Sequence, residues 1–259
     1  FVHLDLHTEY GVNDGVNRID KLINKIKELD MSSVAITDHG NMFGVIQFYQ
    51  KAQKAGIKPI IGCEVYIAPE SRFDKTSTHG VSNASHHLVL LAKNETGYKN
   101  LIKLVSAGYL EGFYYKPRID RDLLSQHAEG LIGLTACLKG AVPYWYNREN
   151  EAKAREIAGQ YSEIFGKDNF YLELQYHHIK EQEKANSFLS KLSQDFALPL
   201  VATNDCHYLN QSDATPHDVL LCIGTAKRVS ETERLRYASD EFYVKSAEEM
   251  AAIFSDYPE

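Results

Sequence analysis

The strongest constraint on this chain is a rhythm. Short apolar, β-branched runs alternate with amphipathic segments, and almost every run ends in an imidazole, a carboxylate or a thiol. The runs are His3–His7, Val34–Thr37, Pro59–Ile67, Leu88–Ala92, Leu131–Thr135, Phe170–Leu174 and Leu198–Thr203. Helical patterns separate them at Arg18–Leu29, Val45–Ala55, Gly97–Leu110, Glu149–Phe165 and Ile179–Phe196. In the first of these, Leu22, Ile23, Ile26 and Leu29 share one stripe. Beyond residue 208 the sequence reads as a helix over 211–223, a strand-like Glu241–Lys245 and a short helix over 247–254. Seven strands joined by helical crossovers predict an α/β fold with a parallel sheet, and their near-continuous hydrophobicity predicts burial on both faces. Polar groups after nearly every strand favour a closed barrel, because a barrel gathers all its strand ends at one rim. An open doubly wound sheet would gather them at a single switch point. No G-x-G-x-x-G follows a strand and no G-x-x-x-x-G-K-[ST] occurs, so nucleotide binding through those loops is unsupported.

Composition narrows the class. A chain of 259 residues with 44% apolar content buries a large core without disulfide staples, and one α/β barrel of this length is ordinary. We therefore read residues 1–259 as a single domain. The 28 Lys+Arg against 35 Asp+Glu leave a net charge of −7, which argues against gripping nucleic acid by bulk positive charge. Contact with phosphate through metal ions or single cations is still open. No apolar run approaches the roughly 18 residues of a membrane span, and no basic segment followed by an apolar stretch opens the chain. A cytoplasmic protein is expected, with Cys63, Cys137, Cys206 and Cys222 as free thiols or metal ligands.

The strand ends carry the chemistry. Asp5-Leu6-His7 closes the first strand and Asp14 follows in the next loop; Thr37-Asp38-His39-Gly40 closes the second. Glu64 stands in the third, Cys137 after the fifth, His177-His178 after the sixth and Asp205-Cys206-His207 after the seventh. Residues i and i+2 of a strand share a face, so Asp5 can chelate with His7 and Asp205 with His207. His87 fits less well, because it opens the fourth strand instead of closing it. Each piece alone is weak: a lone D-x-H is usually accidental, and a lone Cys is most often a small hydrophobe. Their recurrence at one rim points to a shared metal site. Mixed N, O and S donors favour Zn²⁺, Mn²⁺ or Fe²⁺, with Mg²⁺ also admitted. The donors exceed the needs of one ion, which implies two or three. Ions about 4 Å apart activate water and stabilise the attacking and leaving oxygens of a phosphoryl displacement. Metal-assisted phosphoester hydrolysis follows, with a single-metal amidohydrolase as the competing reading.

Several motifs resemble a known family. His3-Leu4-Asp5-Leu6-His7-Thr8, Ile36-Thr37-Asp38-His39-Gly40, Gly62-Cys63-Glu64 and Asn204-Asp205-Cys206-His207 look like those of the PHP (polymerase and histidinol phosphatase) superfamily. Residues 55–62, 109–120 and 241–245 narrow the resemblance to the PHP domains of bacterial DNA polymerase III alpha subunits. The resemblance implies a distorted seven-stranded (β/α) barrel with a trinuclear metal site at the C-terminal rim of the strands. Its ligands would be Asp5, His7, Asp14, His39, Glu64, His87, Cys137, Asp205 and His207, with Asp14, His39 and Asp205 as the catalytic members. Asp5 departs from the usual His-x-His opening, which puts the affinity and metal preference of that position in question. The resemblance further implies 3′→5′ exonuclease (proofreading) activity on DNA ends. The partners implied are the DNA 3′ end, the polymerase body toward which residues 208–259 would extend and, as a further candidate, a separate proofreading exonuclease subunit; no membrane is involved. A small-molecule phosphomonoesterase and a catalytically silent, metal-stabilised docking scaffold are the alternatives.

Beside the metals, Arg118 and Lys116 follow two tyrosines, and with His177 they are read as phosphate or DNA contacts. Arg72 is a weaker candidate of the same kind. His3 shares a face with Asp5 and His7, or else is a packed core histidine.

Overall fold

The computed structural model describes residues 1–11, 14–76, 80–81 and 84–257. Helices α1 (Ile19–Glu28) and α2 (Val45–Lys54) flank strand β1 (Ser33–Ile36). Strands β2 (Lys58–Ile67) and β3 (His86–Ala92) are followed by α3 (Glu95–Leu110), β4 (Arg118–Ile119) and α4 (Arg121–Gln126). Strand β5 (Leu131–Leu134), α5 (Ala141–Asn147), α6 (Glu151–Phe165), β6 (Phe170–Leu174), α7 (Lys180–Phe196) and β7 (Leu200–Ala202) complete the barrel. Helices α8 (Ala214–Thr225) and α9 (Ala247–Ile253) lie beyond it. None of the described helices is long and apolar enough to cross a membrane.

The sheet runs β1-β2-β3-β5-β6-β7, with β4 paired to β2. The first segment is not a regular strand, yet it closes the sheet. Its His3 and Leu6 carbonyls accept from Ala35 and Thr37, while the His7 N–H donates to the Cys206 carbonyl. A parallel sheet was expected throughout. Instead β3 runs antiparallel to both neighbours, β2 and β5. This reversal resolves the position of His87. At the start of a reversed strand it stands at the rim where the parallel strands end. β3 also begins two residues earlier than the apolar run, because His86 and His87 pair with Ile67 and Tyr66.

Alternation along the strands fills the interior in layers. Leu4, Ile60, Ile132, Tyr171 and Val201 pack against Ala35, Val89, Leu91 and Leu134 inside the barrel. The outer face carries Val65, Ile67, Leu88, Leu90 and Leu172, covered by Leu101 and Leu104 of α3, Ile157 and Tyr161 of α6, and Leu189 and Leu192 of α7. On α1, Ile19, Leu22, Ile23 and Ile26 form the expected buried stripe, with Leu29 partly buried against it. Side chains cap the helices where the sequence offers them: Asn94 accepts from Gly97 N–H, and Asp120 from Leu123 N–H. Gly97 also sits against Gly130, whose carbonyl oxygen lies only 1.8 Å from where a Cβ would stand.

Arg118 does not present its guanidinium to a phosphate. It is fully buried and donates to the backbone carbonyls of Gly112, Ala84, Arg72 and Asp74 at 3.1, 3.1, 3.4 and 2.7 Å. It ties three loops to β4. Arg72 is likewise engaged, bidentate on Asp120 and paired with Glu111. Replacing Arg118 by Ala strands buried carbonyls and opens a cavity, so we expect a loss of roughly 3 kcal/mol or more in urea-unfolding stability. Arg118→Lys recovers little of it, because one ammonium cannot reach all four acceptors.

Candidate metal centre

The strand ends converge as one connected network. His7 Nε2 lies 3.0 Å from Asp205 Oδ1, 3.6 Å from Asp5 Oδ1 and 3.5 Å from Glu64 Oε2. Glu64 is the hub: its Oε2 meets His39 Nδ1 at 2.5 Å and its Oε1 meets His87 Nδ1 at 2.7 Å. Asp14 Oδ2 reaches His39 Nε2 at 3.1 Å, and Asp205 Oδ1 reaches His207 Nε2 at 3.0 Å. Cys137 Sγ joins the edge, 3.8 Å from His87 Nδ1. The rings of His7 and His39 stack at 4.0 Å, and those of His7 and His207 at 4.5 Å. All nine side chains named from the sequence therefore meet at one rim.

The donors fit a cation better than they fit one another. His7, His39 and His207 offer ligand atoms within 4.8 Å of each other; so do His39, Glu64 and His87, and so do Asp5, His7 and Glu64. His7 Nδ1, Asp14 Oδ1, His39 Nδ1 and Glu64 Oε2 are buried without a hydrogen-bond partner. His39 Nδ1 and Glu64 Oε2 approach closely without hydrogen-bond geometry. That is the arrangement of two donors facing a common third atom, and unsatisfied buried polar groups call for such an explanation.

The local backbone serves this crowding. Asp205 adopts a left-handed φ of 43°, which Asp tolerates better than most residues and which turns its carboxylate between His7 and His207. Gly40, at φ +62°, lets the chain turn after His39; a Cβ there would strike the Tyr66 ring at 2.8 Å. Asp38 is occupied by Thr8, whose N–H and hydroxyl both donate to its carboxylate. His3 is a core histidine, held by the Lys245 carbonyl.

Electrostatics divides the carboxylates. Burial pushes Asp205 up, but His207 and His7 outweigh it and hold its carboxyl well below the usual range. His87 and His39 do the same for Glu64. Asp14 is lowered against its burial by His39 and His207. Burial and the charges of Asp205, Glu173 and Glu64 drive Asp5 well up. His39 is raised well above its ordinary value, despite burial, by Asp14 and Glu64.

The expected phosphate contacts divide. His177 is fully buried and both ring nitrogens are engaged, Nδ1 with Gln182 and Nε2 with the Asn204 carbonyl, while its ring stacks on Phe242 at 3.8 Å. It braces the backbone before Asp205 and does not face a phosphate. Lys116 does line the mouth, a cavity of about 310 Å³ shared with Asp14, His39, Tyr66, His87 and Lys139. Sequence reasoning passed over Lys139, Glu173, Gln175 and Tyr237. Glu173 had a signal, since a lone carboxylate in the apolar run Phe170–Leu174 points inward with Tyr171. It accepts from Ala136 N–H, Thr203 and Gln175, and Gln175 in turn donates to Asp5. Tyr237 comes from an irregular stretch with no periodicity to expose it.

Burial pushes the Glu173 carboxyl up from 4.5 to about 7, helped by Asp205 and Glu64. A carboxyl raised on folding contributes stability that is full below pH 4.5 and is lost as pH rises through about 7. In chelator-treated protein, stability should therefore fall by roughly 3 kcal/mol more across that interval for the wild type than for Glu173→Gln. Urea titrations at successive pH values measure the slope, which is independent of any constant offset from the substitution. Parallel slopes would remove Glu173 as the titrating group.

The chain is similar to known proteins along its whole length. Over its whole length the chain is 49% identical, across 259 residues, to DNA polymerase III subunit alpha of Treponema pallidum; the match covers 100% of this chain and 22% of that protein. It is 51% identical over 261 residues to the same subunit of Borreliella burgdorferi, with 100% and 22% covered. The subunit of Thermus aquaticus is 44% identical over 258 residues, with 99% and 21% covered. The chain thus spans about a fifth of the length of these relatives. The PHP domain model matches residues 3–177, a span that holds Asp5, His7, Asp14, His39, Glu64, His87 and Cys137. With the closed sheet and the converging donors already in view, that match settles the family: the chain belongs to the PHP domain family.

Proposed function

We propose that this chain is the PHP domain of a bacterial replicative DNA polymerase alpha subunit and that it hydrolyses phosphodiesters, shortening DNA from its 3′ end. The observation that carries this reading is the convergence of buried donors at one rim, among them His39 Nδ1 and Glu64 Oε2, 2.5 Å apart and neither hydrogen-bonded. Asp5, His7, Asp14, His39, Glu64, His87, Cys137, Asp205 and His207 would hold two or three divalent ions, of Zn²⁺, Mn²⁺ or Fe²⁺ type with Mg²⁺ admitted. Bound there, the ions supply an activated water and charge stabilisation for the attacking and leaving oxygens. The protein's part is to orient those donors. Glu64 bridges between His39 and His87, Asp205 bridges between His7 and His207, and Asp14 fixes His39 at the mouth. Lys116 and Lys139 would meet the phosphate backbone at the cavity wall. We assign residues 1–259 to one domain, with 208–259 extending toward a polymerase body. Its surroundings are the cytoplasm, the replicating DNA and, as a candidate partner, a separate exonuclease subunit.

A second reading keeps the metal and drops the catalysis: a scaffold that the ions stiffen. The net charge of −7 favours it, since attraction of DNA to this chain alone is weak. Labelled single-stranded DNA with Mn²⁺ or Zn²⁺ separates the two. We expect shortening from the 3′ end, and His39→Ala should reduce it by more than the roughly 100-fold typical of outer-shell changes. Shortening that survives His39→Ala unchanged would reject the nuclease assignment.

Chelation tests the metal itself. An ion bound to the folded chain at a thousand times its Kd stabilises by about 4 kcal/mol, so a strong chelator should lower the Tm by several degrees. Added Mn²⁺ or Zn²⁺ should restore it, and a Tm indifferent to chelator would mean that no ion is held here.

A further inference from the structure

Residues 226–240 form an arm that returns from α8 across the rim. Arg234 clamps it to α8 by a bidentate pair with Asp218, at 2.5 and 2.6 Å, and Arg234 and Arg236 both donate to the Val229 carbonyl. The arm carries Tyr237 against the metal centre. Its hydroxyl lies over the His207 ring, 3.0 Å from Nε2 and 3.5 Å from Nδ1, and its own ring packs edge-on to His207, His217 and Phe242 at 4.9, 4.7 and 4.6 Å. Nothing in the proposed function uses this residue.

The orientation of His207 gives the hydroxyl a task. His207 Nδ1 lies 2.9 Å from the Asp14 carbonyl, to which it can only donate, and His217 Nε2 donates to the same oxygen at 2.8 Å. The two rings fix His207 so that Nε2 faces His7, His39 and Asp205, as a ligand must. The Tyr237 hydroxyl, placed over the ring, lies off the in-plane lone pair of Nε2, which a cation can take without displacing it, and His207 Nδ1 already donates to Asp14. A hydroxyl confined there needs a better acceptor, because leaving it unpaired costs about 1–3 kcal/mol. An oxygen carried by an ion on Nε2 would supply one.

Resting on the metal reading above, we propose that Tyr237 is a phosphate-binding residue: its hydroxyl donates to an oxygen of the phosphate seated on the ion at His207, and the Asp218–Arg234 clamp holds it there. The ligand is the phosphate of a terminal nucleotide, entering the cavity bounded by His39, Lys116, Lys139, Leu221 and Leu235. The hydroxyl thereby links the two ligands, so that phosphate binds better when the metal is present and the arm is closed.

Calorimetric titration of the 259-residue chain tests this without any turnover. Mn²⁺ is titrated first, then inorganic phosphate and, separately, a deoxynucleoside 5′-monophosphate into the loaded protein. Tyr237→Phe should bind Mn²⁺ with unchanged stoichiometry and at least equal affinity, while both phosphate probes weaken about ten-fold or more, the loss of one hydrogen bond to a charged acceptor. Asp218→Asn, which loosens the clamp and leaves the phenol in place, should weaken phosphate in the same direction by a smaller factor. Equal phosphate affinity in wild type and Tyr237→Phe overturns the role of Tyr237 and leaves the metal reading standing. A wild-type chain that takes up no Mn²⁺ and no Zn²⁺ overturns both, so the two failures are told apart by the first titration.

Discussion

The structure depends on one electrostatic constraint, the placing of Asp5, Glu64, Asp205 and Glu173 inside a single barrel rim. These four carboxylates are almost wholly buried and raise or restrain one another's ionisation. Like charges at such spacing in a low-dielectric interior are strongly unfavourable unless protonated or compensated. Imidazoles around Glu64 and Asp205 hold those two carboxyls down, while burial and the neighbouring carboxylates push Asp5 and Glu173 up. Cations at the rim would complete the compensation and satisfy His39 Nδ1 and Glu64 Oε2, which have no hydrogen-bond partner.

Building such a centre requires a stiff scaffold, and the layers of the barrel supply it. Below the rim the interior is apolar, through Val89, Leu91, Leu134 and Ala35. Around the rim a second circle of residues positions the first. Thr37 donates to Asp5, Gln175 links Asp5 to Glu173, and His177 and Lys245 both brace Asn204 beside Asp205. Remote residues are recruited for the same purpose: the Arg118 guanidinium organises the loops beside β4, far from its expected use.

Much of this was legible in the sequence because strand periodicity and chemistry coincide. In Asp5-Leu6-His7 and Asp205-Cys206-His207 the middle residues Leu6 and Cys206 pack into one apolar cluster while the flanking donors meet at the rim, although neither triplet lies in a regular strand. Glu64 was visible as a charge inside an apolar run. The reversal of β3 was not visible, because an apolar run carries no mark of direction; only the awkward place of His87 hinted at it. Arg118 was misread because a guanidinium after two tyrosines looks the same whether it meets phosphate or carbonyl oxygens. What separates the two is the convergence of Ala84, Gly112, Arg72 and Asp74 from distant positions, and that is a property of the fold. The fit of Tyr237 against His207 has the same character.

These misreadings share a cause, and it bears on how the site works. Sequence reasoning finds groups that ligate or react, because their chemistry is local to a strand end. It misses groups whose role is set by what they are held against. The 226–240 arm belongs to this second kind: Arg234 ties it to α8, Leu235 lines the cavity and the Tyr237 phenol reaches His207. The rim donors stand at the ends of packed strands, whereas the arm is tied to α8 by the Asp218–Arg234 pair. Under the proposed reading, that division would place permanence at the metal and adjustability at the phosphate.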